Sequence, residues 1–298
     1  MPRVIANTQS AAASLEETID AIAEGFDPRD DASTDAAAAA LERLANNRTF
    51  LGDLMIEQLR ERHRDTFEDS AYGPQAIVLS PLVGDCFLRA NIWPSESETC
   101  FRTSGAKSFV YGVPHDHNFD FLTAGYFGPG YRSDYFEIVY EDIAGYCGER
   151  AELRFVERSA LAQGRLLHYR AHRDVHSQLP PESTSVSLNI MRVDAGQEWF
   201  DQYGFDLDRG SVTCRLNPCA NETFLRCAVA LESVEALDLA EQFGRDHPSG
   251  RMRLACFEAR AGLLHSDAER DDLWRDAELA GDLMLVREAQ LRRAMLHL

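Results

Sequence analysis

Apolar residues recur at helical spacing from the start of the chain. Leu15, Ile19 and Ile22 share one face ahead of the break at Gly25-Phe26-Asp27-Pro28, which predicts a short helix with Ser10 as its cap. A second helical stretch begins near Ser33-Thr34 and runs through the alanine block 36–40. It resumes after Asn46-Asn47 with Leu51, Leu54, Met55 and Leu59 on one face; the alanine block reads as helix because alanine is the strongest helix former. From about residue 70 the pattern changes to short apolar, β-branched and aromatic runs divided by Gly, Pro and Asp. These predict strands over 76–79, 86–93, 109–113, 135–140, 152–156, 165–169, 185–191 and 212–216. Beyond Asn221 the helical period returns, with a clear break at His247-Pro248-Ser249-Gly250 and a last stretch reaching Leu298, so three or four helices are expected there.

This pattern predicts an α+β architecture: an antiparallel β jelly roll or related barrel over 70–218, flanked by an N-terminal helical segment (1–69) and a C-terminal helical segment (219–298). The C-terminal helices suit either a homodimer contact or a buttress for the barrel. At 298 residues, 45% hydrophobic and 27% charged, the chain has an ordinary globular composition.

Charge narrows the partners. A formal net charge of −19 repels phosphate backbones and anionic membranes, so neither nucleic acid nor a membrane is expected to be a partner. The seven cysteines form no C-x-x-C pair, which argues against a disulfide framework or a thiolate zinc site. No signal-like apolar segment and no span of about 18 apolar residues is present, so a cytoplasmic protein is expected. No glycine-rich phosphate loop or nucleophile elbow appears in a suitable context.

The chemistry-bearing feature is the pair His115 and His117 in Tyr111-Gly112-Val113-Pro114-His115-Asp116-His117. In a strand, alternate side chains share a face, so both imidazoles would enter one cavity. The bland alternative is a hydrogen-bonded pair at a strand end. Further histidines lie in His168-Tyr169-Arg170-Ala171-His172-Arg173-Asp174-Val175-His176, ahead of the β-rich run Ser185-Val186-Ser187-Leu188-Asn189. Three neutral imidazoles on one wall would bind a divalent transition metal and leave positions open.

Over about 76–216 this arrangement resembles the cupin superfamily, in which a His-x-His pair and a single later histidine hold a metal. The resemblance implies His115, His117 and His176 as ligands, with His172 and His168 as competitors for the third place. Phe121 and Leu122 stand where many cupins carry a glutamate. The site is therefore more similar to the three-histidine type of cysteine dioxygenase and related iron oxygenases; Asp120 and Glu137 are read either as a fourth ligand or as hydrogen-bonding or surface carboxylates. The pair is not His-x-Asp, which disfavours 2-oxoglutarate as cosubstrate, and the Ser-His-Tyr relay of thiol dioxygenases is not found. The resemblance implies Fe(II), or another divalent transition metal, and an oxygenase acting on a small organic molecule with dioxygen. The alternatives are a zinc, manganese or nickel isomerase or hydrolase, and a regulatory cupin that binds a ligand.

Between the pair and the next strand lies Thr123-Ala124-Gly125-Tyr126-Phe127-Gly128-Pro129-Gly130-Tyr131-Arg132. Its glycines and proline predict a turn, either a lid over substrate or a hairpin with aromatic packing. Tyr126, Tyr131 and Arg132 are the candidates for orienting substrate. Arg132, Arg170 and Arg173 could each clamp a carboxylate.

Overall fold

The computed structural model describes residues 1–61 and 75–296. The predicted boundary at residues 69 and 70 and the last predicted helical residue, Leu298, lie outside them. The chain divides into two compact units, one of residues 1–140 with 152–197 and one of 141–151 with 198–298.

The first unit opens with β1 (Arg3–Ile5), α1 (Leu15–Ala21), α2 (Asp31–Asn46) and α3 (Phe50–Glu61). Ser14, not Ser10, caps α1. Its hydroxyl accepts from the Glu17 amide while the Glu17 carboxylate accepts from the Ser14 amide, a reciprocal box that Ser10 cannot form because Ala13 stands three residues on. Asp30 caps α2 through the Ala32 amide at 3.0 Å, which puts Ser33 and Thr34 inside that helix.

There follow β2 (Ala76–Val78), β3 (Cys86–Trp93), α4 (Thr99–Ser104), β4 (Phe121–Phe127), β5 (Arg132–Glu137), β6 (Arg154–Ala160), β7 (Leu166–Tyr169), β8 (Asp174–Leu179) and β9 (Ser185–Arg192). The strand expected over 109–113 does not form. Residues Ala106–Phe109 make a 3₁₀ turn, and Val110 closes it in the left-handed conformation at φ 63°. Conversely, β4 occupies much of the stretch expected to be a turn. The glycines there serve close backbone crossings: a Cβ at Gly125 would meet the Ala162 carbonyl oxygen at 2.1 Å, and one at Gly130 (φ +80°) the Leu161 carbonyl oxygen at 2.0 Å.

The strands form a six-stranded sheet in the order β1-β7-β4-β9-β3-β2 and a three-stranded sheet in the order β6-β5-β8, with antiparallel pairing throughout. Among the described residues they do not close into a barrel. Closure needs hydrogen bonds around the whole circuit, whereas β1, β2 and β6 remain sheet edges. One face of the large sheet carries Leu88, Ala90, Leu122, Ala124, Leu188 and Ile190, which share a core with Ile22, Leu41 and Leu44 of the N-terminal helical region. The other face carries Trp93, Phe121, Leu167, Tyr169 and Met191, which pack with Tyr135 of the small sheet.

The second unit contains the hairpin β10 (Tyr203–Asp206) and β11 (Ser211–Arg215), then α5 (Ala220–Ala230), α6 (Val234–Asp246), α7 (Gly250–Ala261), α8 (Asp267–Glu278) and α9 (Leu283–Leu296). The predicted break falls between α6 and α7, where Ser249 caps α7, and among the described residues of this unit the helices number five rather than three or four. Buried Arg251 ties the hairpin region to α7 through Asp201 at 2.8 Å and the Asn217 carbonyl at 2.7 Å. No described helix is long and apolar enough to cross a membrane.

Gly130 is the sharpest test of the backbone crossing. Replacing it by alanine combines a left-handed backbone with a clash against backbone, and should lower unfolding free energy by about 2 kcal/mol or more. Urea titration checks this; an unchanged midpoint would contradict the crossing.

Candidate metal centre

The site is built where the segment leading to His117 runs along the free edge of β8. The His115 amide donates to the His176 carbonyl at 3.0 Å and the His176 amide returns the bond to His115 at 2.9 Å, an isolated antiparallel bridge. Directly opposed residues of such a pair send their side chains to the same face. The histidine pair is therefore not in a regular strand as expected; it lies in a segment anchored by single bridges at Tyr111 and His115. Further along, the His117 carbonyl accepts from the His172 amide at 2.8 Å.

The three rings converge. Centroids of His115 and His117 lie 4.8 Å apart, those of His115 and His176 4.6 Å, and those of His117 and His176 5.0 Å. One ligand nitrogen from each lies within 4.8 Å of the others, and Nε2 of His115 is 3.2 Å from Nε2 of His176. All three residues are buried. His117 stacks on Phe119 and packs against Phe121, while Tyr169 sits edge-on to His176.

Electrostatics keep the imidazoles neutral. Burial lowers the pKa of His115, opposed by its contact with the Val113 carbonyl. Burial, and then the charges of His115, Arg89 and His172, push His117 well down, and burial with its two histidine neighbours does the same to His176. His115 Nδ1 lies 2.7 Å from the Val113 carbonyl oxygen; a neutral ring bonds there only with its proton on Nδ1, which leaves the Nε2 lone pair directed to the cluster. Donors each about 2.1 Å from one ion, at tetrahedral or octahedral angles, lie roughly 3.0–3.4 Å apart, and the 3.2 Å between two of these nitrogens meets that requirement. The donor set fits a divalent transition metal.

The other histidines and acids are placed elsewhere. His168 points to the opposite face of the sheet, against Phe26, and its Nε2 lies 3.0 Å from Asp120. His172 occupies the turn between β7 and β8 at φ 59°, its ring 4.3 Å from that of Tyr140. Glu137 pairs with Arg170 at 3.0 Å, Arg173 at 3.4 Å and also Arg154. Neither Asp120 nor Glu137 belongs to the histidine cluster.

Of the residues considered for substrate contact, Tyr131 enters the core between the sheets, 4.3 Å from the Trp93 ring. Tyr126 faces the N-terminal helices instead, its hydroxyl donating to the Asn47 carbonyl at 2.9 Å. Arg132 is exposed, and Arg170 and Arg173 are committed to carboxylates on β5 and β8. Sequence reasoning overlooked Tyr135 and Tyr169, whose hydroxyls meet at 3.2 Å, and Arg89, whose charge is felt at His117 and Tyr131. The signal for Arg89 was legible: a cation at a central position of the apolar run Phe87-Leu88-Arg89-Ala90-Asn91-Ile92-Trp93.

No protein-family model matches the chain, and no curated protein matches it. Among solved structures it is similar to a hydroquinone 1,2-dioxygenase determined with Cd2+ and 4-hydroxybenzonitrile (TM-score 0.25, 10% identity, 42% of this chain and 68% of that one). A second is the hydroquinone 1,2-dioxygenase of Sphingomonas sp. TTNP3 with 4-hydroxybenzoate (TM-score 0.25, 9% identity, 42% and 70% covered). A third is a protein described as a mannose-6-phosphate isomerase from Ralstonia eutropha JMP134 (TM-score 0.22, 14% identity, 44% and 98% covered). Likenesses this slight define neither a family nor an activity.

The neutral cluster has a pH signature. An unfolded histidine binds a proton near its ordinary value of 6.5, whereas buried His117 and His176 resist protonation until lower pH. The unfolded chain therefore holds more protons in that window, and metal-free protein should be fully stable above about pH 6.5 and lose stability as pH falls below it. Urea midpoints across that range should show the loss, and a double replacement of His117 and His176 by Gln should flatten the slope; an equal slope in the variant would contradict the burial.

Proposed function

We propose that this protein is a mononuclear metal oxygenase in which His115, His117 and His176 hold Fe(II) and a small organic molecule is oxidised with dioxygen. The observation that carries the reading is the buried, all-imidazole donor set, with one nitrogen from each ring within 4.8 Å of the others and no carboxylate among them. When bound, ferrous iron supplies open coordination positions and redox chemistry towards dioxygen.

The chain's own part follows from its packing. The Val113 carbonyl fixes the His115 tautomer. Phe119, Phe121 and Tyr169 hold the imidazole planes and exclude water from their surroundings. Burial raises the pKa of both Tyr135 and Tyr169, so these phenols stay protonated. The Tyr169 hydroxyl donates its one hydrogen to Tyr135, which fixes the Tyr169 ring in its edge-on contact with His176.

Replacing His117 by Ala should lower metal content and turnover together, by at least about tenfold, while circular dichroism retains the helical signal. Elemental analysis of protein purified anaerobically without added metal, followed by oxygen uptake against a panel of small organic molecules, tests the reading. Iron with substrate-dependent oxygen uptake supports it. Zinc, manganese or nickel in the site with no uptake overturns the oxygenase and leaves Lewis-acid isomerase or hydrolase chemistry, which the same ligands permit.

A further inference from the structure

We propose that the substrate gives an N–H or O–H hydrogen bond to the carboxamide oxygen of Gln178, one row along β8 from His176; this rests on the metal-site reading above. Side chains two residues apart on a strand share a face, about 7 Å from each other, so Gln178 enters the interior on the same side as His176. The cross-strand pairs agree. His176 stands opposite Tyr135 and Gln178 opposite Ser133, and on the other edge of β8 His115 bridges the first and Tyr111 the second. Gln178 is only 5% exposed, and its Oε1 is buried without a hydrogen bond within the chain.

A buried carbonyl oxygen without a donor lowers the stability of the folded chain. Donors lining this interior are directed elsewhere: the Tyr111 hydroxyl to the Pro94 carbonyl at 3.0 Å, the Trp93 indole to Ser187 at 3.0 Å and the Asn189 amide to the Arg89 carbonyl at 3.3 Å. Packing does not explain the amide, because a methionine of similar length would fill the same volume without an unpaired oxygen. Such unpaired groups collect where a protein binds a guest. On the inner face of the large sheet, Asn91 Oδ1 and Thr123 Oγ1 are likewise buried without a partner in the chain. A guest satisfies Gln178 only by bringing the hydrogen itself; one that lacks it leaves the oxygen unpaired in the complex, which is how a buried polar group discriminates between otherwise similar ligands. The substrate class is therefore a small molecule bearing an amide, amine or alcohol hydrogen, in preference to its alkylated counterpart.

The test uses two hydroxamates on the full chain loaded with Co(II). Acetohydroxamic acid and N-methylacetohydroxamic acid both chelate a divalent metal through two oxygens, and only the first carries an N–H. Cobalt stoichiometry is measured first, because it reports on the histidines separately from Gln178. Acetohydroxamic acid should perturb the visible cobalt spectrum saturably and bind at least about tenfold more tightly than its methylated counterpart. Gln178→Met should abolish that preference with cobalt stoichiometry unchanged. Equal binding of the two probes by the native chain overturns the proposal, and so does the native preference in Gln178→Met, which would assign it to the bulk of the methyl group. Should the chain take up no cobalt, the metal reading fails, and urea titration of metal-free protein then decides on Gln178 by itself. Removing an unpaired buried acceptor should raise the midpoint in Gln178→Met; an unchanged or lower midpoint, or a variant that does not fold, shows that the amide is already satisfied and overturns the proposal.

Discussion

The reciprocal backbone hydrogen bonds between His115 and His176 set the geometry on which the candidate centre depends. They fix two residues opposite each other, and the bond from the His172 amide to the His117 carbonyl, with the stacking of His117 on Phe119, holds the third ring beside them. A register slip of one residue on β8 would turn His176 away and present Val175 or Ser177 in its place. The other pairings of β8 guard against that slip. Its far side is locked to β5 over six residue pairs, from Arg132 with Leu179 to Glu137 with Asp174. On the near side, Tyr111 forms a second bridge to Gln178. Two cross-links on one edge and a full ladder on the other leave the histidines little freedom to separate.

A polar interior between two sheets needs stability from somewhere else, and the division of labour across the large sheet provides it. The face towards the N-terminal helices is nearly all aliphatic, with Leu41, Leu44, Leu88, Leu122, Leu188 and Ile190 fully buried; each such side chain contributes about 1.5–3 kcal/mol on burial. The opposite face can then carry Arg89, Asn91, Thr123 and Asn189 at alternate positions of the same strands. Aromatic rings surround these polar groups: Trp93, Tyr111 and Tyr169 combine apolar area with hydroxyl or indole hydrogens that find partners, and Tyr131 and Tyr135 pack among them.

The legibility of the sequence followed the same division. Strand β3 was read to its ends because a run of alternating residues has few competing interpretations, and His115 and His117 stood out by spacing. β4 was hidden by its glycine, which normally signals a turn; here Gly125 admits the backbone of residues 161 and 162, a contact between segments distant in sequence. β8 was hidden because it begins directly after a turn and contains His176, Ser177 and Gln178, which are polar yet buried. Tyr126 and Tyr131 sit five residues apart in one aromatic stretch, but Tyr126 lies on β4 and Tyr131 in the turn that follows it, and they enter different cores.

Val110 shows how the bridge is reached. A β-branched residue at φ 63° is uncommon, and the left-handed conformation costs roughly 1–2 kcal/mol. Its effect is to end the 3₁₀ turn and reverse the chain, so that Val110 bonds back to Lys107 and Tyr111 to Ala106 before Gly112 joins the β8 edge at the Gln178 carbonyl. The Tyr111 ring, packed among Trp93, Phe101 and Phe109, and its hydroxyl, which donates to the Pro94 carbonyl at 3.0 Å, offset the strain. Strain held by packing immediately ahead of the histidine pair is consistent with a site whose ligand-bearing segment is positioned by its neighbours rather than by a continuous ladder of its own.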